Sequence, residues 1–148
     1  MPSPSRILAC SLLALLAATA ARAADWTDDY PAALAQAKKE HKMILLDFTG
    51  SDWCIWCKRT DNDVFETQKF KDFADKKLVL VTVDFPDQKV LKDSVKQQND
   101  KLRDKYGVEG YPTLIVLDSN EKVVFVQEGY KEGGPDAFIG EFPKPAAE

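Results

Sequence analysis

Hydrophobic residues concentrate in short runs set apart by polar stretches: Met43-Ile-Leu-Leu-Asp-Phe48, Leu78-Val-Leu-Val-Thr-Val-Asp84, Leu114-Ile-Val-Leu117 and Val123-Val-Phe-Val126. Runs of this length, bounded by polar residues, glycine or proline, predict strands, and the least interrupted of them predict buried central ones. Between and around them the pattern changes to helical. Ala32, Ala33, Leu34, Ala35 and Ala37, with Pro31 in the first turn, predict a packing helix within residues 28–42. Residues 54–64 predict a second helix, and Thr67 can cap a third running to Ala74, with Phe70 and Phe73 inward. Residues 90–96 read as an irregular insertion and 97–106 as a helix closed by Gly107. Asp118-Ser-Asn-Glu121 turns the last two strands into a hairpin, and Gly133-Gly134-Pro135 precedes a short helix ending near Phe142. Strand, helix, strand in the first half implies a right-handed parallel crossover, so the pattern is α/β.

The N-terminus belongs to a different pattern. Arg6 is followed by an almost wholly apolar stretch to Ala18 and by Ala21-Arg22-Ala23, which has the small-x-small form of a cleavage site. This is read as a signal peptide over residues 1–23 that exports the protein to the periplasm or cell envelope. Residues 24–142 are read as one domain and 143–148 as a disordered tail. The first 23 residues hold two of the 20 basic and none of the 24 acidic residues, so the remaining chain carries a charge of −6. That balance argues against nucleic acid and anionic membrane surfaces as partners. Of three cysteines, Cys10 leaves with the signal, and Cys54 and Cys57 remain in an oxidising compartment.

Those two cysteines follow the strand at Met43 and open a helix, in Gly50-Ser-Asp-Trp-Cys-Ile-Trp-Cys-Lys58. Spaced three apart, they can share one face of a first helical turn and meet the geometry of a disulfide. A helix N-terminus presents unpaired N–H groups and the positive end of its dipole, which lower a thiol's pKa. Cys54 is therefore the expected nucleophile and Cys57 the residue that resolves the mixed disulfide. The uncharged Ile55 and Trp56 lean the pair toward reduction, while Lys58 and Arg59 moderate the lean. A structural disulfide, a metal site and inert thiols are the alternatives. A disulfide closing so short a loop restrains the unfolded chain little. A closed zinc site wants about four ligands, against two cysteines and His41 here; no metal and no cofactor beyond the cysteine pair is expected.

Asp47 is anomalous inside an apolar strand, where a carboxylate is costly unless exposed, hydrogen-bonded or protonated. It is a candidate proton acceptor for Cys57, against the plainer reading of a strand-end carboxylate satisfied by backbone or water. His41, at a helix end, reads as a surface residue. Asp61-Asn62-Asp63 lacks the glycine and terminal glutamate of a calcium loop and reads as a solvated helix face.

With Leu45-Leu46-Asp47-Phe48 before Trp53-Cys54-Ile55-Trp56-Cys57-Lys58, and with Tyr106-Gly107-Val108-Glu109-Gly110-Tyr111-Pro112-Thr113 downstream, the chain resembles the thioredoxin family over nearly all of residues 28–142. The resemblance implies the thioredoxin fold: a central mixed sheet of four strands, or five, with helices on both faces. It implies that Pro112 is cis and lies against the cysteines, leaving the Tyr111 backbone to pair with an extended substrate. Trp53, Ile55, Trp56 and Tyr111 become the candidate substrate-binding residues. The departures are specific. Ile55-Trp56 replaces the Gly-Pro of thioredoxin proper, Asp47 lies seven rather than six residues before the first cysteine, and Tyr111 stands where thioredoxin has a smaller residue. The two-part helix after the cysteines is more similar to exported thioredoxin-like proteins and to the C-terminal domain of envelope disulfide-interchange reductases.

The function expected from these features is reduction of disulfide-bearing proteins by thiol–disulfide exchange, with a membrane-embedded thiol reductase as electron donor and a monomer as the working form. A disulfide oxidase or isomerase, a redox-inert binding module and a copper-handling protein are the rival readings. The last lacks a methionine or histidine beside the motif to complete a soft-metal site.

Overall fold

The computed structural model describes residues 24–142, and the expected signal peptide and C-terminal tail lie outside the described residues. In chain order the elements are β1 (Trp26–Thr27), α1 (Tyr30–Glu40), β2 (Met43–Thr49), α2 (Ile55–Thr60), a π-helical turn (Asp61–Phe65) and α3 (Gln68–Lys77). They continue with β3 (Leu78–Asp84), α4 (Asp93–Tyr106), β4 (Thr113–Leu117), β5 (Val123–Glu128) and α5 (Gly134–Gly140). The sheet has the order β1-β3-β2-β4-β5. β3 runs parallel to both β1 and β2, and β4 runs antiparallel to β2 and β5.

Side-chain alternation along the inner strands divides the core into two layers. Ile44, Leu46 and Phe48 of β2, Val79, Val81 and Val83 of β3, and Ile115 and Leu117 of β4 pack on one face with Ala33 and Ala37 of α1 and Leu102 of α4. Leu45, Leu78, Leu80, Leu114 and Val116 face the other way, against Val64 and Phe65 of the π turn, Phe70 and Ala74 of α3, and Phe138 of α5. Asp47 has the same parity as Leu45. It therefore belongs to the second face, beneath the segment that carries the cysteines.

Local chemistry sets the helix ends. The Asp29 carboxylate accepts from Ala32 N–H at 2.9 Å, with Pro31 in the first turn. Thr67 accepts from Phe70 N–H at 3.3 Å and starts α3. Gly107 closes α4 with a φ of 63°, a left-handed conformation in which glycine has no steric penalty.

The sheet has five strands, the larger of the two expected numbers, because β1 joins its edge; at two residues it is too short to show as a periodic run. Two expectations change. Residues 93–96, expected to be irregular, form the first turn of α4; the polar face suppressed the apolar period there, while only 90–92 stay outside a helix. The helix after the cysteines changes to π geometry at Asp61, and Asp61-Asn62-Asp63 is not a uniformly solvated face: Asp61 and Asp63 are half-buried. Among the described residues, no helix is long and apolar enough to cross a membrane.

Candidate active site

Gly50 makes the turn out of β2, its carbonyl accepting from Cys54 N–H at 2.9 Å. A side chain at Gly50 would collide with the Trp53 indole, so the close approach of ring to backbone requires glycine. Cys54 then stands as the N-cap of α2 and is joined to Cys57 by a disulfide, with Cα atoms 5.3 Å apart. The Cys57 N–H donates to Cys54 Sγ at 3.2 Å. The first sulfur thus occupies the place of a capping oxygen, where an N–H dipole and the helix macrodipole both favour negative charge. Both cysteines are buried, whereas Trp53, Ile55 and Trp56 around them are 51%, 73% and 51% exposed. The pair sits in the floor of an apolar surface.

Tyr111, on the loop before β4, meets Trp53 edge-to-face with ring centroids 6.0 Å apart, and the Tyr111–Pro112 peptide is cis. Pro112 is buried and its carbonyl accepts from Gly129 N–H at 2.7 Å. Phe85 stacks on Tyr111 at 5.2 Å, and its carbonyl accepts from the Trp53 indole N–H at 2.9 Å. Trp53, Tyr111 and Phe85 therefore form one connected aromatic group assembled from three loops. Trp56 lies in another group, stacked on Tyr130 at 5.6 Å.

Beneath the cysteine segment, Asp47 is 5% exposed, paired in register with Thr82 and Leu114. Burial, and then the nearby Asp61 and Asp84 carboxylates, push its pKa well above the ordinary carboxylate value. Asp61 is pushed up by burial and by Glu66 and Asp84. Raised in this way, these carboxylates hold a proton that an exposed carboxylate would release. Asp84 also fastens the turn that leads to Cys54, accepting from Ser51 N–H at 2.9 Å and Ser51 Oγ at 2.6 Å. Asp52 does the same for the facing loop, accepting from the backbone N–H groups of Asp87, Gln88 and Lys89 at 2.8, 2.8 and 2.9 Å. Those bonds draw its pKa down to about 2.

The structure thus gathers Cys54, Cys57, Trp53, Ile55, Trp56, Tyr111 and Pro112 at one end of the sheet, with Asp47 buried on the face below. His41 is exposed in a left-handed C-cap at the end of α1. Phe85, Asp84, Asp52 and Tyr130 were missed by sequence reasoning. Asp84 carried a signal, since a strand ending in aspartate beside a proline-containing loop repeats the anomaly of Asp47. Tyr130 carried none, because only the fold brings it to Trp56.

Comparison with known proteins agrees with this arrangement. A family model described as thioredoxin-like matches residues 25–119. The chain is 37% identical over 112 residues to the disulfide bond reductase DsbH of Chlamydia pneumoniae, covering 76% of this chain and 67% of that protein. It is 30% identical over 100 residues to the thioredoxin-related protein DsbJ of the same organism, covering 68% of this chain but 29% of the relative. A solved structure of a DsbH oxidoreductase superposes with a TM-score of 0.75 at 32% identity, covering 94% of this chain and 91% of that one.

Proposed function

The chain belongs to the thioredoxin-like family of thiol–disulfide oxidoreductases, and from that premise we propose that it reduces protein disulfides in the cell envelope through Cys54 and Cys57. The observation that carries the reading is the position of Cys54 Sγ at the N-cap of α2, holding the Cys57 N–H at 3.2 Å within an exposed apolar surface. In the reduced protein this position stabilises a thiolate. The thiolate attacks one sulfur of a partner disulfide, forming a Cys54–partner disulfide and releasing the first partner thiolate. Cys57 then gives up its proton, attacks Cys54 Sγ and releases the second partner thiolate. Two electrons pass to the partner and the Cys54–Cys57 disulfide remains.

Asp47 is the proton acceptor for Cys57 in this scheme. Its raised pKa lets it hold the proton that an ordinary carboxylate would release. Trp53, Ile55, Trp56 and Tyr111 form the docking surface, and Pro112 shapes the loop from which the Tyr111 backbone pairs with an extended substrate segment. Export by residues 1–23, a monomeric working form and a membrane-embedded thiol reductase that restores the dithiol complete the proposal. A reductase in an oxidising compartment needs such a supply of electrons. That the 37% identical relative is a disulfide bond reductase supports reduction over oxidation.

The test is the equilibrium reduction potential, followed by tryptophan fluorescence. A value near the roughly −270 mV of thioredoxin supports the reductase, and one near about −120 mV overturns it in favour of a disulfide-forming enzyme. In parallel, Cys57→Ser is expected to accumulate a mixed disulfide through Cys54 with a protein substrate, and Cys54→Ser to accumulate none.

A further inference from the structure

Tyr130 stands on the loop between β5 and α5, far in sequence from the cysteines, yet its ring lies against Trp56 at 5.6 Å with 28° between the planes. The Tyr130 hydroxyl donates to Asp63 Oδ2 at 2.7 Å. Arg59 places its guanidinium 4.9 Å from the centre of the Tyr130 ring and 5.7 Å from that of Trp56, and its Nε donates to the same Asp63 oxygen at 3.4 Å. One carboxylate of the π turn therefore fixes both the tyrosine and the cation that rests on both rings.

We propose that Tyr130 is a positioning residue that holds the Trp56 indole in place as a second wall for the substrate, separate from the Trp53–Tyr111–Phe85 wall, and so favours protein disulfides over small ones. The inference rests on Cys54 and Cys57 being the reacting pair. A half-exposed tryptophan without such support must be ordered when a partner docks, and that ordering subtracts from affinity. Here two contacts order it beforehand, the Tyr130 stack and the Arg59 guanidinium, and Asp63 fixes both of those groups. A protein segment passing over Cys54 can use this wall, whereas a small disulfide reaches the sulfur without needing it. Tyr130 touches neither the sulfurs nor their proton, so its removal bears on docking and not on the potential of the pair.

The experiment compares the pre-reduced wild-type protein with Tyr130→Leu and Tyr130→Phe in single-turnover reactions. One substrate is insulin as a protein disulfide and the other is glutathione disulfide as a small one. Tyr130→Leu is expected to slow the insulin reaction about fivefold, the scale of one aromatic pair. Its rate with glutathione disulfide and its reduction potential should match wild type, and Tyr130→Phe, which keeps the ring, should retain most of the insulin rate. An unchanged insulin rate in Tyr130→Leu overturns the inference, and so does an equal loss with both substrates or a shifted potential. If Tyr130→Leu does not fold, Asp63→Ala takes its place, since it removes the acceptor of Tyr130 and Arg59 together, with a selective loss on insulin expected and the same outcomes against it. A wild-type protein that reduces neither substrate overturns the reductase reading itself, and this inference with it.

Discussion

Asp47 shows how the burial of a single carboxylate is written into the pH dependence of stability. Burial on the second face of β2, together with the charges of Asp61 and Asp84, raises its pKa well above the ordinary 3.8. The folded chain thus binds this proton more tightly than the unfolded chain. The stability associated with the group is complete below the ordinary carboxylate range and is lost as pH rises through the raised value. Asp47→Asn is therefore expected to be more stable than wild type in urea unfolding at pH 8, with the gap closing as pH falls toward the ordinary carboxylate range. The same substitution removes the proposed proton acceptor. Release of substrate from the Cys54 mixed disulfide should slow on the order of a hundredfold, read by quenched-flow trapping. A variant that loses stability at pH 8, or that resolves the mixed disulfide at the wild-type rate, would reassign Asp47 as a purely structural residue.

At the scale of elements, the site depends on how loops are tied to regular structure. Asp52 sits two residues before Cys54 and holds three successive backbone N–H groups of the loop after β3. The same loop carries the Phe85 carbonyl that orients Trp53. Asp52→Ala should accelerate hydrogen exchange at Asp87, Gln88 and Lys89 by about tenfold, the loss expected when charge-assisted bonds are replaced by water. Exchange in β2 and β3 should be unchanged. Elsewhere, α5 has no side-chain cap and is anchored by Phe138, which touches Phe65, Phe70, Phe125 and Phe142. This aromatic packing, more than helix propensity, keeps so short a helix in place.

For the whole molecule, the sheet is the organising feature because it separates two cores that share strands but not side chains. Phe48 is fully buried on the α1 and α4 face, and Phe70 is buried on the α3 and α5 face. Phe48→Leu and Phe70→Leu should each cost about 1–2 kcal/mol, and the double variant should cost their sum to within about 0.5 kcal/mol. Denaturant titration of the four proteins measures this directly. A larger departure from additivity would mean that strain passes through the sheet from one layer to the other.

Much of this architecture is legible in the chain, for local physical reasons. Strand runs such as Met43–Phe48 show because burial demands unbroken apolar residues, α1 shows in its alanines and Pro31, and the cysteine pair shows because helix geometry brings residues three apart together. β1 does not show, since two residues carry no period, and the start of α4 is hidden by its polar face. The candidate site divides in the same way. Cys54, Cys57 and their neighbours in one turn are set by sequence spacing, as is the placement of Cys54 at a helix start. The burial of Asp47 beside Asp61 and Asp84, the tie from Asp52 to residues 87–89 and the stack of Tyr130 on Trp56 were decided by tertiary structure. Each joins residues on separate elements, and a charge environment or an aromatic contact between them exists only once the sheet has brought those elements to a common end.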